Sequence, residues 1–202
     1  MKYKLETQLC AKKKNLLSFS LPVYFYYFSV QFIGHFHKMN PFSRAKNTLT
    51  AISVNFTNVR SLSTTVAGAT HKKMTRVLDL KCEINVLIDT RTNLEGVNKV
   101  FNSSKLKWRL GHFKHIGSYT QNKGIVIIYN KLRVQVKDLK IIQHGQLISF
   151  RVKVNNTWIN FVSVYAPPEG DNPDFFLSSK TTLDEMEGDL GLICGDFNYS
   201  GP

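Results

Sequence analysis

Along Ile52-Ser53-Val54-Asn55-Phe56, apolar and polar residues alternate with period two, the pattern of a half-buried strand. Further on, Met74, Val77 and Leu78 recur at helical spacing, with Lys72, Lys73 and Arg76 off that stripe. Ser63-Thr64-Thr65 can cap such a helix, so the pattern predicts a helix over 65–81 that lays one face on a sheet. Ile84-Asn85-Val86-Leu87-Ile88 is short and β-branched and reads as the next strand. Residues 92–117 are polar and read as irregular. A turn at Gln121-Asn122-Lys123-Gly124 leads into the apolar run Ile125-Val126-Ile127-Ile128-Tyr129. Alternation then predicts strands over 132–140, 146–154 and 158–164, the last two joined by an Asn155-Asn156 hairpin turn. Phe175, Phe176, Leu183 and Met186 predict a helix over 174–187. Leu192-Ile193-Cys194 is a last buried strand, and Gly195 lets the backbone turn tightly at its end. Strands in antiparallel succession, with helices packed on them, predict an α/β domain of two layered sheets.

The chemistry sits where these apolar runs stop. Asn58, Asp89, Tyr165 and the pair Asp196 and Asn198 each stand at a strand end. Pro167 pushes Ala166 into an extended conformation, which holds Tyr165 at the sheet rim. If extended geometry continues past Gly195, Asp196 and Asn198 share one face with Phe197 on the other. The competing reading makes Asp196 and Asn198 ordinary turn residues, and Asn58 likewise. Polar groups gathered at one end of a sandwich form a candidate site. Their oxygens are hard ligands, which favour Mg²⁺ or Mn²⁺.

Composition narrows the partners. The chain has 202 residues, 43% of them hydrophobic, enough for one domain with a real core. Lys plus Arg number 27 against 14 Asp plus Glu, a net charge of +13 that fits a polyanion, nucleic acid first and an anionic membrane surface second. Cys10, Cys82 and Cys194 are scattered with no zinc spacing and read as reduced intracellular thiols. Cations and rings interleave at Lys105, Lys107, Trp108, Arg109, His112, Phe113, Lys114 and His115. Of these, Lys107, Trp108, Arg109 and Lys114 are the candidate nucleic-acid contacts. Residues 1–50 differ from the rest, with a basic start before the aromatic-rich run Leu16 to Phe36. That run is interrupted by Ser18, Ser20, Pro22, Ser29, Gln31 and His35, so an extension outside the domain, poorly ordered or docked by its aromatics, is expected there rather than a signal anchor. Pro41 to Thr50 reads as a linker into the domain at 51–202.

Gly195-Asp196-Phe197-Asn198 resembles the GDFN motif of the endonuclease/exonuclease/phosphatase superfamily. Four upstream segments match that superfamily in order. They are Asn58-Val59-Arg60-Ser61-Leu62, Asp89-Thr90-Arg91, the strand after Gly124, and Tyr165-Ala166-Pro167. The pattern is most similar to the endonuclease domain of non-LTR (LINE-type) retrotransposons, from Ala51 to the C-terminus. The resemblance implies a DNase I-like two-sheet α/β sandwich, C-terminally truncated, and metal-dependent phosphodiester hydrolysis that nicks DNA. It implies Asp89 and Asn58 as holders of Mg²⁺ or Mn²⁺ and Asp196 as the group that orients or deprotonates water. Asn198 and Tyr165 would stabilise charge on phosphate oxygens. Most of the superfamily carries Glu where this chain has Asp89, one methylene shorter, which bears on metal preference. The superfamily's later Asp and Ser-Asp-His segment has no counterpart after Asn198, so weak or no activity is expected of this chain alone. No small-molecule cofactor is expected, and a nuclear location is expected if the chain functions. Two other readings stand beside this one: another branch of the superfamily, and a non-catalytic nucleic-acid-binding or membrane-tethered fragment.

Overall fold

A computed structural model describes residues 28–32, 52–62, 67–154, 157–166, 173–186 and 191–198. The strands are β1 (Phe28–Phe32), β2 (Ile52–Asn58), β3 (Ile84–Ile88), β4 (Phe113–Ser118), β5 (Ile125–Asn130), β6 (Gln135–Gln143), β7 (Leu147–Val154), β8 (Thr157–Tyr165) and β9 (Gly191–Asp196). The helices are α1 (Ala67–Asp79), α2 (Leu94–Phe101), α3 (Lys107–Leu110) and α4 (Pro173–Asp184). One sheet has the order β1-β2-β3-β5-β4 and the other β6-β7-β8-β9.

Three apolar layers follow from the side-chain alternation. Between the sheets, Val54, Ile84, Val86, Ile125 and Ile127 face Ile148, Phe150, Val152 and Phe161, all fully buried. The rings of Phe150 and Phe161 stack with centroids 5.1 Å apart. The outer face of the first sheet, through Leu87, Val126 and Ile128, takes Met74, Val77 and Leu78 of α1 and Val97 and Val100 of α2. The outer face of the second sheet takes Phe175 and Leu183 of α4 on Leu147, Val162, Val164 and Ile193. β3 is buried along its whole length because helices cover one face and the partner sheet the other. This is the two-sheet sandwich that the patterning predicts.

Three local readings change. Residues 92–117 are not irregular. They form α2, α3 and β4, because Val97 and Val100, then Leu106 and Leu110, keep helical spacing onto the first sheet. β5 leaves the expected meander and lies between β3 and β4, so the antiparallel meander proper is β6-β7-β8. Five residues of the aromatic-rich segment form β1, antiparallel to β2. The rest of that segment, the Pro41–Thr50 linker, the Asn155-Asn156 turn and the loop from Pro167 lie outside the described residues. Among the described residues, no helix is long and apolar enough to cross a membrane.

Candidate active site

β2 and β3 run parallel, with Asn58 level with Ile88, so both strands discharge their polar ends at the same edge. β8 and β9 are also parallel, with Tyr165 level with Asp196. Cross-links then fix the loops. Ser61 N–H donates to the Asp89 carbonyl at 2.7 Å, Arg91 N–H to the Lys123 carbonyl at 2.9 Å, and Ala166 N–H to the Asp196 carbonyl at 2.8 Å.

The two sheets meet through side chains. Asn58 Nδ2 donates to Asp196 Oδ2 at 2.8 Å, joining the end of β2 to the end of β9. Asn58 Oδ1 accepts from the Arg60 amide at 3.0 Å. By contrast Asn55, nearby in sequence, is buried inside β2 and bonds Thr57 and Asn85. Asp196 Oδ1 accepts from the Asn198 amide at 3.1 Å, an Asx turn. Extended geometry therefore ends at Asp196. Asn198 has a φ of 44°, its Nδ2 donates to the Ala166 carbonyl at 2.7 Å, and Phe197 packs on the α4 layer.

Asp89 carries the other half of the rim. Its side chain is 3% exposed, and its two oxygens accept from Arg91 Nε at 2.8 Å and Nη2 at 3.0 Å. That fork neutralises a buried carboxylate with the geometry guanidinium suits best. The Tyr165 hydroxyl lies beside Asp89 and Arg91; burial first, then the Asp89 charge, push its pKa up, and Arg91 pulls it down. It therefore stays a neutral donor at ordinary pH. Arg91 has its pKa raised, first by its hydrogen bond to Asp89 and then by the Asp89 charge. Lys73 Nζ, on α1, donates to the Arg60 and Ser61 carbonyls at 2.8 Å each. Burial pushes its pKa down, against the pull of Asp89 and with help from Arg60 and Arg91.

Backbone strain concentrates here too. Arg60, Ser61, Asp89, Arg91 and Asn198 all have φ between 44° and 78°. Left-handed conformations in non-glycine residues cost roughly 1–3 kcal/mol each and persist where surrounding bonds over-determine them. The cross-links above are those bonds.

Asn58, Asp89, Tyr165, Asp196 and Asn198 thus share one rim. Lys107, Trp108, Arg109 and Lys114 do not join it. Arg109 pairs with Asp79 at the C-terminal end of α1 at 2.7 Å, Trp108 is 77% exposed beside it, and Lys114 lies level with Tyr129, which faces Ile84 at the far end of β3. Two rim residues were not singled out from the sequence. Arg91 could have been, since it closes the Asp89-Thr90-Arg91 segment; nothing in the helical pattern distinguishes Lys73 from Lys72.

No protein-family model matches the sequence, and no curated protein matches it. Solved structures do. TDP2 of D. rerio complexed with a single-strand DNA product is 15% identical with a TM-score of 0.58, over 74% of this chain and 62% of that one. A humanized D. rerio TDP2 is 16% identical with a TM-score of 0.57, over 74% and 63%. The endonuclease domain of TRAS1, a telomere-specific non-LTR retrotransposon, is 14% identical with a TM-score of 0.50, over 73% and 59%. This chain therefore spans about three fifths of the length of those structures. With two mixed sheets, helices on both outer faces and these neighbours, the chain has the DNase I-like endonuclease/exonuclease/phosphatase fold.

Proposed function

We propose that the rim is a phosphodiester-hydrolysing centre of the retrotransposon endonuclease type, acting on DNA. The observation that carries this is the convergence of Asn58, Asp89, Tyr165, Asp196 and Asn198 from separate strand ends onto one edge, where Asn58 and Asn198 hydrogen-bond Asp196 and Asp89 lies close enough to Tyr165 to shift it. The similar structures of TDP2 with a single-strand DNA product and of a retrotransposon endonuclease domain support the substrate class.

The donor set fits a magnesium-type ion. Among the described residues no cluster of three or more His, Cys, Asp or Glu could hold a metal. Mg²⁺, however, is usually held by one or two carboxylates, waters and the substrate's own phosphate oxygens. Asp89, with Asn58 Oδ1, would hold Mg²⁺ or Mn²⁺ once Arg91, whose side chain is 52% exposed, swings off the carboxylate. When bound, such an ion neutralises charge on the phosphate.

The chain's own groups supply the rest. Asp196 is gripped at both oxygens by Asn58 and Asn198 and retains lone pairs to accept a proton from an attacking water. Tyr165, kept neutral, donates to a phosphate oxygen. Asn198 has one N–H on Ala166 and a second to offer. Arg91 and Lys73 keep the edge positive toward an incoming phosphate. Among the described residues no histidine is hydrogen-bonded to these groups, so slow turnover is expected of the chain by itself.

A second reading has its own support. With Arg91 seated on Asp89, that carboxylate is neutralised, which suits phosphate binding without cleavage. One experiment separates the two. Supercoiled plasmid is incubated with the full chain in Mg²⁺, and oligonucleotide binding is titrated with salt in EDTA. Mg²⁺-dependent nicking that is lost in Asp196→Ala supports hydrolysis. Salt-sensitive binding with no nicking above the Asp196→Ala background rejects it in favour of binding alone.

A further inference from the structure

A second charged surface lies on the outer face of the β6-β7-β8-β9 sheet, away from the rim. Alternation puts Phe150, Val152, Ile159 and Phe161 inward, so their neighbours in sequence point outward. Register then sets Lys153 opposite Trp158 on one side and Gln135 on the other, and Arg151 opposite Asn160 and Lys137. α4 covers the part of this face nearer the rim, through Val162, Val164 and Ile193. The part nearer Trp158 carries the cations.

Three of them gather on one indole. Lys137 Nζ stands 4.3 Å from the Trp158 ring centroid, Arg151 Cζ 5.4 Å and Lys153 Nζ 5.9 Å. Like charges set directly opposite each other, as Lys137 and Arg151 are, weaken a strand pair. Asp138, at a bulge with a φ of 55°, reaches Lys137 at 3.3 Å and Arg151 at 3.5 Å, both long for an ion pair. Around the indole stand half-exposed Lys137 and Lys153 and the largely buried Arg151, a run of positive charge on a strand face that suits a polyanion.

We infer that this face, centred on Trp158 with Lys137, Arg151 and Lys153, is a second binding site, for the phosphodiester backbone of nucleic acid. A membrane surface would ask for apolar side chains beside the cations. Here the exposed register neighbour is Gln135, and the exposed Ile141 and Ile142 lie toward the other end of β6. Trp158 and Tyr165 are seven residues apart on β8, roughly 23 Å at about 3.3 Å per residue. The patch is therefore separate from the rim and touches a different part of a polynucleotide. Its contacts are to backbone, so sequence selectivity is not expected of it.

The test uses the full chain in EDTA, so that turnover plays no part and failure here is independent of the hydrolysis reading. Fluorescence anisotropy of labelled single-stranded and duplex oligonucleotides is measured across salt concentrations. Lys137→Gln with Lys153→Gln is expected to weaken single-strand binding about tenfold and to flatten the log-log salt slope by about 1.4, for two phosphate contacts. Melting of the double variant near the parent temperature verifies its fold. The chain has two tryptophans, so in Trp108→Phe the emission reports Trp158 alone, and it is expected to change on binding. Unchanged affinity and slope in the double variant, or a Trp158 emission that ignores bound oligonucleotide, overturns the proposal. So does capture by phosphatidylserine vesicles that needs Lys137 and Lys153 while oligonucleotide binding does not.

Discussion

Asp89 and Arg91, two residues apart on a turn where both have positive φ, form a two-pronged ion pair with the carboxylate sealed from water and the guanidinium half in it. If Asp89 holds a divalent ion as proposed, the ion and the guanidinium would compete for the same oxygens. Arg91→Ala leaves a buried charge without its donor. A loss of about 1–3 kcal/mol is expected in EDTA, the usual cost of orphaning a charged acceptor. Mg²⁺ is expected to restore more stability to Arg91→Ala than it adds to the parent chain. Thermal unfolding with and without Mg²⁺ reads both effects, and an equal response to Mg²⁺ in the two proteins would contradict the competition.

The Asn58 to Asp196 hydrogen bond ties the two sheets at the rim. In a cycle of Asn58→Ala, Asp196→Ala and the double variant, a coupling of about 1.5–3 kcal/mol is expected, as for a hydrogen bond to a charged acceptor. Urea denaturation supplies the four free energies. Additive losses would mean that the bond contributes nothing in solution.

Gly195 is needed for close approach. Its φ is 148°, and a Cβ there would lie 1.8 Å from the Val164 carbonyl oxygen. Val164 is its register partner, so relief requires β9 to move away from β8 just before Asp196. Gly195→Ala is expected to cost about 1–3 kcal/mol or more, the range for overpacking. It should also weaken the Asn58–Asp196 coupling, which a repeat of the cycle in this background would measure.

Tyr119 supplies a pH test. Burial, with a smaller push from Tyr129, raises its pKa from 10.0 to about 12, while its hydroxyl sits 2.9 Å from His115 Nδ1. A group with a raised folded pKa adds stability that is complete below the unfolded value and is lost as pH climbs through the folded one. Stability is therefore expected to fall between pH 10 and about 12. Tyr129 and Tyr165, shifted the same way, contribute to that fall. Tyr119→Phe should lose less across this window. Denaturant titrations at stepped alkaline pH, with tyrosinate absorbance as the site readout, check it.

Much of this arrangement was legible along the chain. Period-two runs located β2, β7 and β8, short apolar runs located β3, β5 and β9, and the helical stripe of Met74, Val77 and Leu78 located α1, because burial on one face or on both leaves those patterns in the sequence. The strand ends bearing Asn58, Asp89, Tyr165 and Asp196 could be marked for the same reason: an apolar run must stop where the backbone reaches water. Residues 92–117 were misread because α2 buries only Val97 and Val100, and α3 only Leu110 after Leu106, in the hydrophobic layer beneath them, too few to show a period. The basic cluster at Lys107, Trp108, Arg109 and Lys114 was legible as a cluster but not as to place. Chain order says nothing of which end of a sheet a loop occupies.

The amino-acid sequence alone determined which stretches become strands and helices and which polar residues end them, since local periodicity and propensity act over a few residues. Tertiary structure alone decided that Asn58 would reach Asp196, that Arg91 would turn back onto Asp89, that Lys73 would hold the Arg60 and Ser61 carbonyls, and that three cations would share Trp158. Those contacts join residues on different elements or across strained turns. The rim contacts exist only once the parallel pairings β2–β3 and β8–β9 bring distant strand ends to one edge, and the Trp158 cluster only once β6, β7 and β8 pair in register.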